Sequence, residues 1–438
     1  MDLTGLAALR TPSGAAALTA AAQVTDADPL VAATALRAAG IPGELAAAAL
    51  TQARLRRRAI GKFGPDADRM FFTSVGLEQA TRESVARRRA ERLWAAGVRT
   101  LADLGCGLGA DALAAARVGI LVYGVESDPL TAAMAAANAE AAGLADRFTV
   151  TLGEATATDV TGVDAVFCDP ARRRATTGRR VFDPSAFSPP WDFLVDLVRR
   201  VPRTVIKTAP GIDHALIPAG AEGEWVSVGG DLVEATLWCG PLAEVPRRAT
   251  LLPEGRPPAG QPASDDATPD GTQRETQDGT QDDRRRLVRR WRPDGQWHLS
   301  GTGERSAPVG PIGRYLFDPD PAVVRAGLVA EFAETVGGRI ADPSIAYVYT
   351  DAPAATPFAR CLEVTDVLPF ALKRLRALLR DRAVGQVEIL KRGSAVDVER
   401  LRRDLRLSGP NAVSLVLTRV AGAPTALLCR PVLPGHTA

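Results

Sequence analysis

The chain has 438 residues, 53 Lys plus Arg against 51 Asp plus Glu, and a formal net charge of +2. Its length allows two or three domains, each with a core of its own, and its near-neutral balance selects no partner by overall charge. Five cysteines, at 106, 168, 239, 361 and 429, are odd in number and form no C-x-x-C pair, which argues against a zinc site or a disulfide framework and fits a reducing cytoplasm. No apolar run follows a basic start as in a signal peptide, and no stretch of about eighteen apolar residues reads as a membrane span. The basic residues include four lysines, Lys62, Lys207, Lys373 and Lys391, and are otherwise arginine. Such a bias reads first as genome composition, although guanidinium groups suit phosphate and base contacts.

Residues 1–96 read as a helical region. Ala and Leu recur at helical spacing from Leu30 to Leu50, with breaks at Gly40 and Pro42. A second run from Leu77 to Ala96 carries Leu77, Ala80, Val85, Ala86, Leu93 and Trp94 as an apolar stripe. Between them, Met70-Phe71-Phe72 stands out in a chain poor in aromatics. Core packing is the simpler reading; the alternative places Phe72, Gln79 and Thr81 at the mouth of a ligand pocket.

Residues 97–246 read as the next domain. Leu101-Ala-Asp103-Leu-Gly105-Cys-Gly107-Leu-Gly109 predicts a buried strand that breaks into a glycine loop and opens a helix. Alternating glycines let the backbone approach a ligand and expose its N–H groups. Val122 to Glu126, followed by Ser127, predicts a second strand ending in an acid, where a nucleotide ribose needs a hydroxyl acceptor. A dinucleotide fingerprint is G-x-G-x-x-G; the spacing here is G-x-G-x-G, with Asp103 two residues ahead of the first glycine. Phe148 to Thr151 reads as a third strand, followed by Gly153-Glu154-Ala155. Val163 to Cys168 reads as a fourth, ending in Asp169-Pro170-Ala171-Arg172, and Thr204 to Lys207 as a fifth. Trp225 to Val228 and Leu232 to Trp238, joined through Gly229-Gly230-Asp231, carry a hairpin signal, for which a wholly parallel dinucleotide-binding sheet has no place.

Together these residues resemble the class I S-adenosylmethionine-dependent methyltransferases. The resemblance implies an α/β fold: a Rossmann-like sheet with a terminal antiparallel hairpin, and S-adenosyl-L-methionine as cofactor. It implies Asp103 at the cofactor's amino acid end, Gly105, Gly107 and Gly109 along it, and Glu126 at the ribose with Ser127 beside it. Glu154 and Ala155 fall at the adenine, where Asp is commoner than Glu. Asp169-Pro170-x-Arg172 resembles the catalytic loop of nucleic-acid methyltransferases, which implies that Asp169 and the Pro170 carbonyl orient an amino or imino acceptor. Amino-group methyltransferases carry Tyr or Phe where this chain has Arg172, followed by Arg173 and Arg174. A guanidinium plane also stacks on a base or clamps a phosphate; the plainer reading is a solvated turn. Cys168 reads as an inert strand residue and Cys106 as a small loop residue. His214 is either a surface-loop residue or a substrate contact, and Lys207 either meets a phosphate or snorkels to solvent.

Residues 254–286 are rich in Pro, Gly, Asp, Gln and Thr and contain a short repeat, Asp270-Gly-Thr-Gln and Asp278-Gly-Thr-Gln281. They read as a disordered linker. Residues 287–433 read as a small α+β domain. Its expected elements are a strand at Ile345 to Tyr349, a basic helix at Leu368 to Arg380 and a strand and turn at Gly385 to Gly393. A helix at Val396 to Leu405 and a hairpin around Gly422 follow. Val387 to Gly393, Val396 to Leu401 and the hairpin resemble the THUMP-like domain appended to some bacterial class I methyltransferases. That resemblance implies an RNA partner, tRNA or rRNA, met by Arg374, Arg376, Arg392 and Arg403. The expected function is S-adenosylmethionine-dependent methylation of a nucleobase of tRNA or rRNA. A methyltransferase for a small molecule or protein, and a non-catalytic RNA-binding protein, remain alternatives.

Overall fold

The computed structural model describes residues 1–25, 27–172, 187–254 and 295–432, with the backbone alone at Ala171 and Arg172. Among these residues no helix is long and apolar enough to cross a membrane.

The N-terminal region is helical: α1 (Leu3–Leu9), α2 (Pro12–Gln23), α3 (Pro29–Ala38), α4 (Gly43–Phe63), α5 (Ser74–Gln79) and α6 (Glu83–Ala95). Asp2, Thr11 and Asp28 cap the first three by accepting a backbone N–H, and Pro12 and Pro29 occupy first turns where no N–H is needed. The predicted helix over Leu77 to Ala96 is instead two helices, broken at Ala80-Thr81-Arg82. Lys62 causes part of the break. Its Nζ donates to the carbonyls of Leu77 at 2.7 Å, Glu78 at 2.8 Å and Ala80 at 3.0 Å, satisfying the last carbonyls of α5. Phe72 is 1% exposed and packs on Phe63, so the core reading holds for it rather than the pocket-mouth one. Its strand-like segment is held by two buried amides. Gln52 exchanges hydrogen bonds with the Phe72 backbone, and Asn138 accepts from Phe71 N while donating to the carbonyls of Phe71 and Leu108.

The alternating sheet region follows: β1 (Thr100–Leu104), α7 (Ala110–Arg117), β2 (Leu121–Glu126), α8 (Pro129–Ala141), β3 (Phe148–Leu152) and β4 (Ala165–Cys168). The short antiparallel pair β5 (Ala171–Arg172) and β6 (Phe187–Ser188), α9 (Trp191–Arg200) and β7 (Thr204–Thr208) complete it. The order is β3-β2-β1-β4-β7, all parallel. The predicted hairpin is present as β8 (Glu222–Val228) and β9 (Asp231–Trp238), with β9 next to β7. Gly229 and Gly230 take φ values of 60° and 89°, the backbone that a two-residue hairpin turn of the primed type requires.

The chain divides into two compact units, residues 1–221 with 236–244, and residues 222–235 with 245–438; β9 contributes residues to each. In the second unit β8 is flanked by β9 and by β10 (Arg247–Leu252), which runs parallel to β8 and pairs antiparallel with β11 (Trp297–Gly301). A seven-stranded sheet follows, built from β12 (Tyr315–Pro319), β13 (Arg339–Ile340), β14 (Val348–Thr350), β15 (Ala359–Pro369), β16 (Val384–Lys391), β17 (Asn411–Val420) and β18 (Ala423–Pro431). The helices are α10 (Pro321–Arg325), α11 (Val329–Val336), α12 (Leu372–Asp381) and α13 (Val398–Leu405), and the strand order is β13-β14-β12-β15-β18-β17-β16. Leu415 and Leu417 face the cluster of Leu375, Leu379, Leu401 and Leu405, while Val416 faces Leu316, Tyr347 and Leu362. Burial on both faces explains why β17 and β18 are apolar without alternation.

Two expectations need correction here. The strand expected over Ile345 to Tyr349 spans Val348–Thr350, because Ile345 N is turned back onto the Asp342 carbonyl. The eleven-residue β15 was not foreseen, because a bulge between Val364 and Asp366 breaks its alternation and Arg360, Glu363 and Asp366 interrupt its apolar run. The expected linker lies, apart from Glu254, outside the described residues.

Candidate functional site

The ends of β1, β2 and β4 meet around the glycine loop. Gly105, Gly107 and Gly109 all have positive φ, at 86°, 55° and 84°. Gly109 opens α7, and a Cβ there would lie 2.7 Å from the Phe148 ring. A Cβ on Gly105 would lie 3.7 Å from the Asp169 carbonyl oxygen, so the loop runs directly beside Asp169. The first two glycines therefore leave an open backbone cradle, and the third allows close helix–strand packing.

Asp103 is 1% exposed, and neither carboxylate oxygen has a hydrogen-bond partner. Burial pushes its pKa well above the carboxylate range, and the neighbouring Asp111 and Asp169 push it further, with Arg89 acting in opposition. Such a group is short of a cation or donor. A ligand carrying an ammonium or sulfonium supplies what is missing.

Glu126 is held from both sides. Its Oε2 accepts from Gly107 N at 3.0 Å and its Oε1 from Asp128 N at 2.9 Å. Each oxygen retains a lone pair, enough to accept from two vicinal hydroxyls. Ser127 is exposed beside it, and Gly153 N bonds the Glu126 carbonyl at 3.0 Å. That bond brings the next loop alongside, where Glu154 is exposed and precedes the short turn Ala155–Ala157.

Behind the loop, Asp111 in the first turn of α7 accepts from Thr81 Oγ1 at 2.7 Å and pairs with Arg89, whose guanidinium lies 4.7 Å from the Phe167 ring. Thr81 is thus buried next to the glycine-loop helix, whereas Gln79 is exposed.

Asp169 immediately follows β4, and Pro170 beside it is buried. Lys207, near the end of β7, neither snorkels nor reaches outward for a phosphate. Its Nζ donates to Asp169 Oδ2 at 2.5 Å. This pairing is the main feature that sequence reasoning missed; the available signal was a lysine at the end of the strand next to β4. The Arg172 side chain, with Arg173 and Arg174, lies outside the described residues. Cys168 is fully buried, and burial together with Asp169 pushes its thiol well up; Cys106 is raised in the same way by burial, Asp103 and Glu126. Neither is set up as a thiolate nucleophile. His214 is exposed in a short turn capped by Asp213.

The expected basic face of the second unit divides by partner. Arg376 donates to the Asp404 carbonyl, and Arg392 pairs with Asp318 at 2.7 Å and lies over the Tyr347 ring. These two arginines are tied into the fold. Lys373, Arg374, Arg380, Arg403 and Arg406 are exposed, and none of their side chains makes a hydrogen bond or ion pair among the described residues.

Residues 359–431 match the THUMP domain-like family, and residues 2–59 match a family described as a domain of unknown function. The chain is 34% identical over 392 residues to an uncharacterized S-adenosylmethionine-dependent methyltransferase of Mycobacterium tuberculosis, found in strains CDC 1551 / Oshkosh and H37Rv. The match covers 86% of this chain and 95% of the relative. A crystal structure from Porphyromonas gingivalis W83, described as a candidate methyltransferase, is similar with a TM-score of 0.68 at 20% identity, covering 95% of this chain and 98% of that one. At that identity the likeness concerns the fold. The parallel order β3-β2-β1-β4-β7 with β9 beside β7 is accordingly a methyltransferase sheet.

Proposed function

The chain belongs to the S-adenosylmethionine-dependent methyltransferases, and we propose that it methylates a nucleobase of tRNA or rRNA. The observation that carries the RNA reading is the THUMP domain-like match at residues 359–431, whose two helices expose Lys373, Arg374, Arg380 and Arg403. Bound S-adenosylmethionine supplies a methyl group already activated on a sulfonium.

The chain's own task is binding and orientation, which accounts for much of the rate in such a transfer. Asp103 faces the charged amino acid end of the cofactor, Gly105 and Gly107 lie along it, and Glu126 takes the ribose hydroxyls with Ser127 at its side. Glu154 and Ala155 border the adenine. At the reacting end, Asp169 and the Pro170 carbonyl each accept an N–H of the acceptor, aiming the nitrogen lone pair at the methyl carbon. As the new N–C bond forms and the sulfur–carbon bond breaks, the nitrogen gives up one proton, and the Asp169 carboxylate takes it. Arg172 is assigned to a phosphate or the base plane.

The test is mass spectrometry of nucleosides from tRNA and rRNA of cells with and without the protein, paired with transfer of labelled methyl by purified protein to the RNA of the deletion strain. A methylated nucleoside that disappears on deletion and returns in vitro is expected. If neither RNA pool accepts label, the target is a small molecule or a protein.

A further inference from the structure

Asp169 is about one-third exposed at the end of β4, where a carboxylate has freedom to turn. Lys207 is only 13% exposed, and its ammonium meets Oδ2 at 2.5 Å from the adjacent parallel strand. A second ammonium, that of Lys62, feels this one: its burial, and then the charges of Lys207 and Arg82, push its pKa down. Lys62 gives hydrogen bonds to three backbone carbonyls at the C-terminal end of α5. An ammonium has three donors, so Lys62 has none left for Asp169. In a chain where all but four of the basic residues are arginine, both of these cations are lysines. A compact point charge fits one carboxylate oxygen, whereas a guanidinium fork tends to take both.

We propose that Lys207 is a positioning residue for methyl transfer: its ammonium occupies Oδ2 of Asp169 and leaves Oδ1 turned toward the acceptor N–H. The inference rests on the reading of Asp169 under Proposed function. A paired carboxylate also presents little net charge to a reaction centre that carries a cationic methyl donor, which a lone carboxylate would not.

Lys207→Met removes the ammonium and keeps the length of the side chain, and Lys207→Arg restores the charge. Both are compared with wild type for label transfer to RNA from the deletion strain. Misplacement of a reacting group by about 1 Å costs on the order of 100-fold, so Lys207→Met should lower kcat by about 10- to 100-fold with KM for RNA within about twofold, and Lys207→Arg should recover part of the loss. In an Asp169→Asn background, Lys207→Met should cost little more, since the two act as one unit. Calorimetry with S-adenosylhomocysteine reports folding of the cofactor site and should be unchanged in every variant. Unchanged kcat in Lys207→Met, or a loss that multiplies fully in the Asp169→Asn background, overturns the proposal. A crystal structure of Lys207→Met with S-adenosylhomocysteine decides the matter independently of RNA. A displaced or multiply oriented Asp169 carboxylate supports it, and an unmoved one overturns it. If wild type labels no RNA, the RNA reading fails, and this crystallographic result alone decides the role of Lys207.

Discussion

At the residue scale, the binding role proposed for Asp103 comes at a cost in stability. It is an acid sealed in the interior with no hydrogen-bond partner, next to three further acids, Asp111, Asp169 and Glu126. Its pKa is raised in the folded chain and ordinary, about 3.9, in the unfolded one. As pH rises above about 4, the unfolded chain has released this proton while the folded chain still holds it. The contribution of Asp103 to stability is therefore full at low pH and is lost as pH climbs toward the folded pKa. Asp103→Asn keeps the shape and removes the ionisation. Without cofactor, the variant should melt higher than wild type at pH 7, and its advantage should shrink toward pH 4. Its affinity for S-adenosylmethionine should fall by about tenfold or more, the worth of a charged hydrogen bond. Melting curves from pH 4 to 8, with calorimetry at pH 7, check both; parallel curves for the two proteins would show that Asp103 does not titrate as described.

At the element scale, α12 and α13 carry arginines of two kinds. The buried stripe of each helix, Leu375 and Leu379 or Leu401 and Leu405, fixes which positions point away. Arg374 and Arg403 are on the exposed side, whereas Arg392, at the end of β16, is joined to Asp318 and the Pro319 carbonyl. The double change Arg374→Ala and Arg403→Ala should leave the melting temperature nearly unchanged. It should weaken RNA binding and make the slope of log K against log salt shallower by about one to two. Arg392→Ala should instead destabilise the fold by about 1.5–3 kcal/mol, the worth of hydrogen bonds to a charged partner, with a salt slope like wild type. Thermal melts and filter binding across salt concentrations separate the two classes, and a reversed pattern would refute the division.

At the scale of the whole molecule, β10 and β11 pair antiparallel with Leu251 opposite Trp297. The chain therefore leaves and rejoins the sheet at neighbouring points on either side of residues 255–294. Closing a loop costs free energy that grows slowly with its length. Replacing residues 255–294 by a short Gly/Ser turn should leave the melting temperature and cofactor binding essentially unchanged; a drop of more than a few degrees would show that the segment contributes to the fold. The five parallel strands β1, β2, β3, β4 and β7, the glycine loop, its two acids and the Gly229-Gly230 hairpin were legible in the sequence, whereas β10 and β11 of the same sheet were not. The legible features depend on local rules: period, positive φ at glycine, and a fixed spacing from strand to ligand-facing acid. The break in the helix before β1, the bulged β15 and the two kinds of arginine were not. Each depends on a partner far away in the chain: Lys62 on the carbonyls of α5, β18 along β15, Asp318 at Arg392. The cofactor, and the glycine loop proposed to cradle it, could be read from the chain alone, because those residues lie on one continuous strand–loop–helix. That Lys207 meets Asp169 emerged from the folded chain instead, because two parallel strands joined by a long crossover come side by side through packing, and no local pattern records which of their ends will touch.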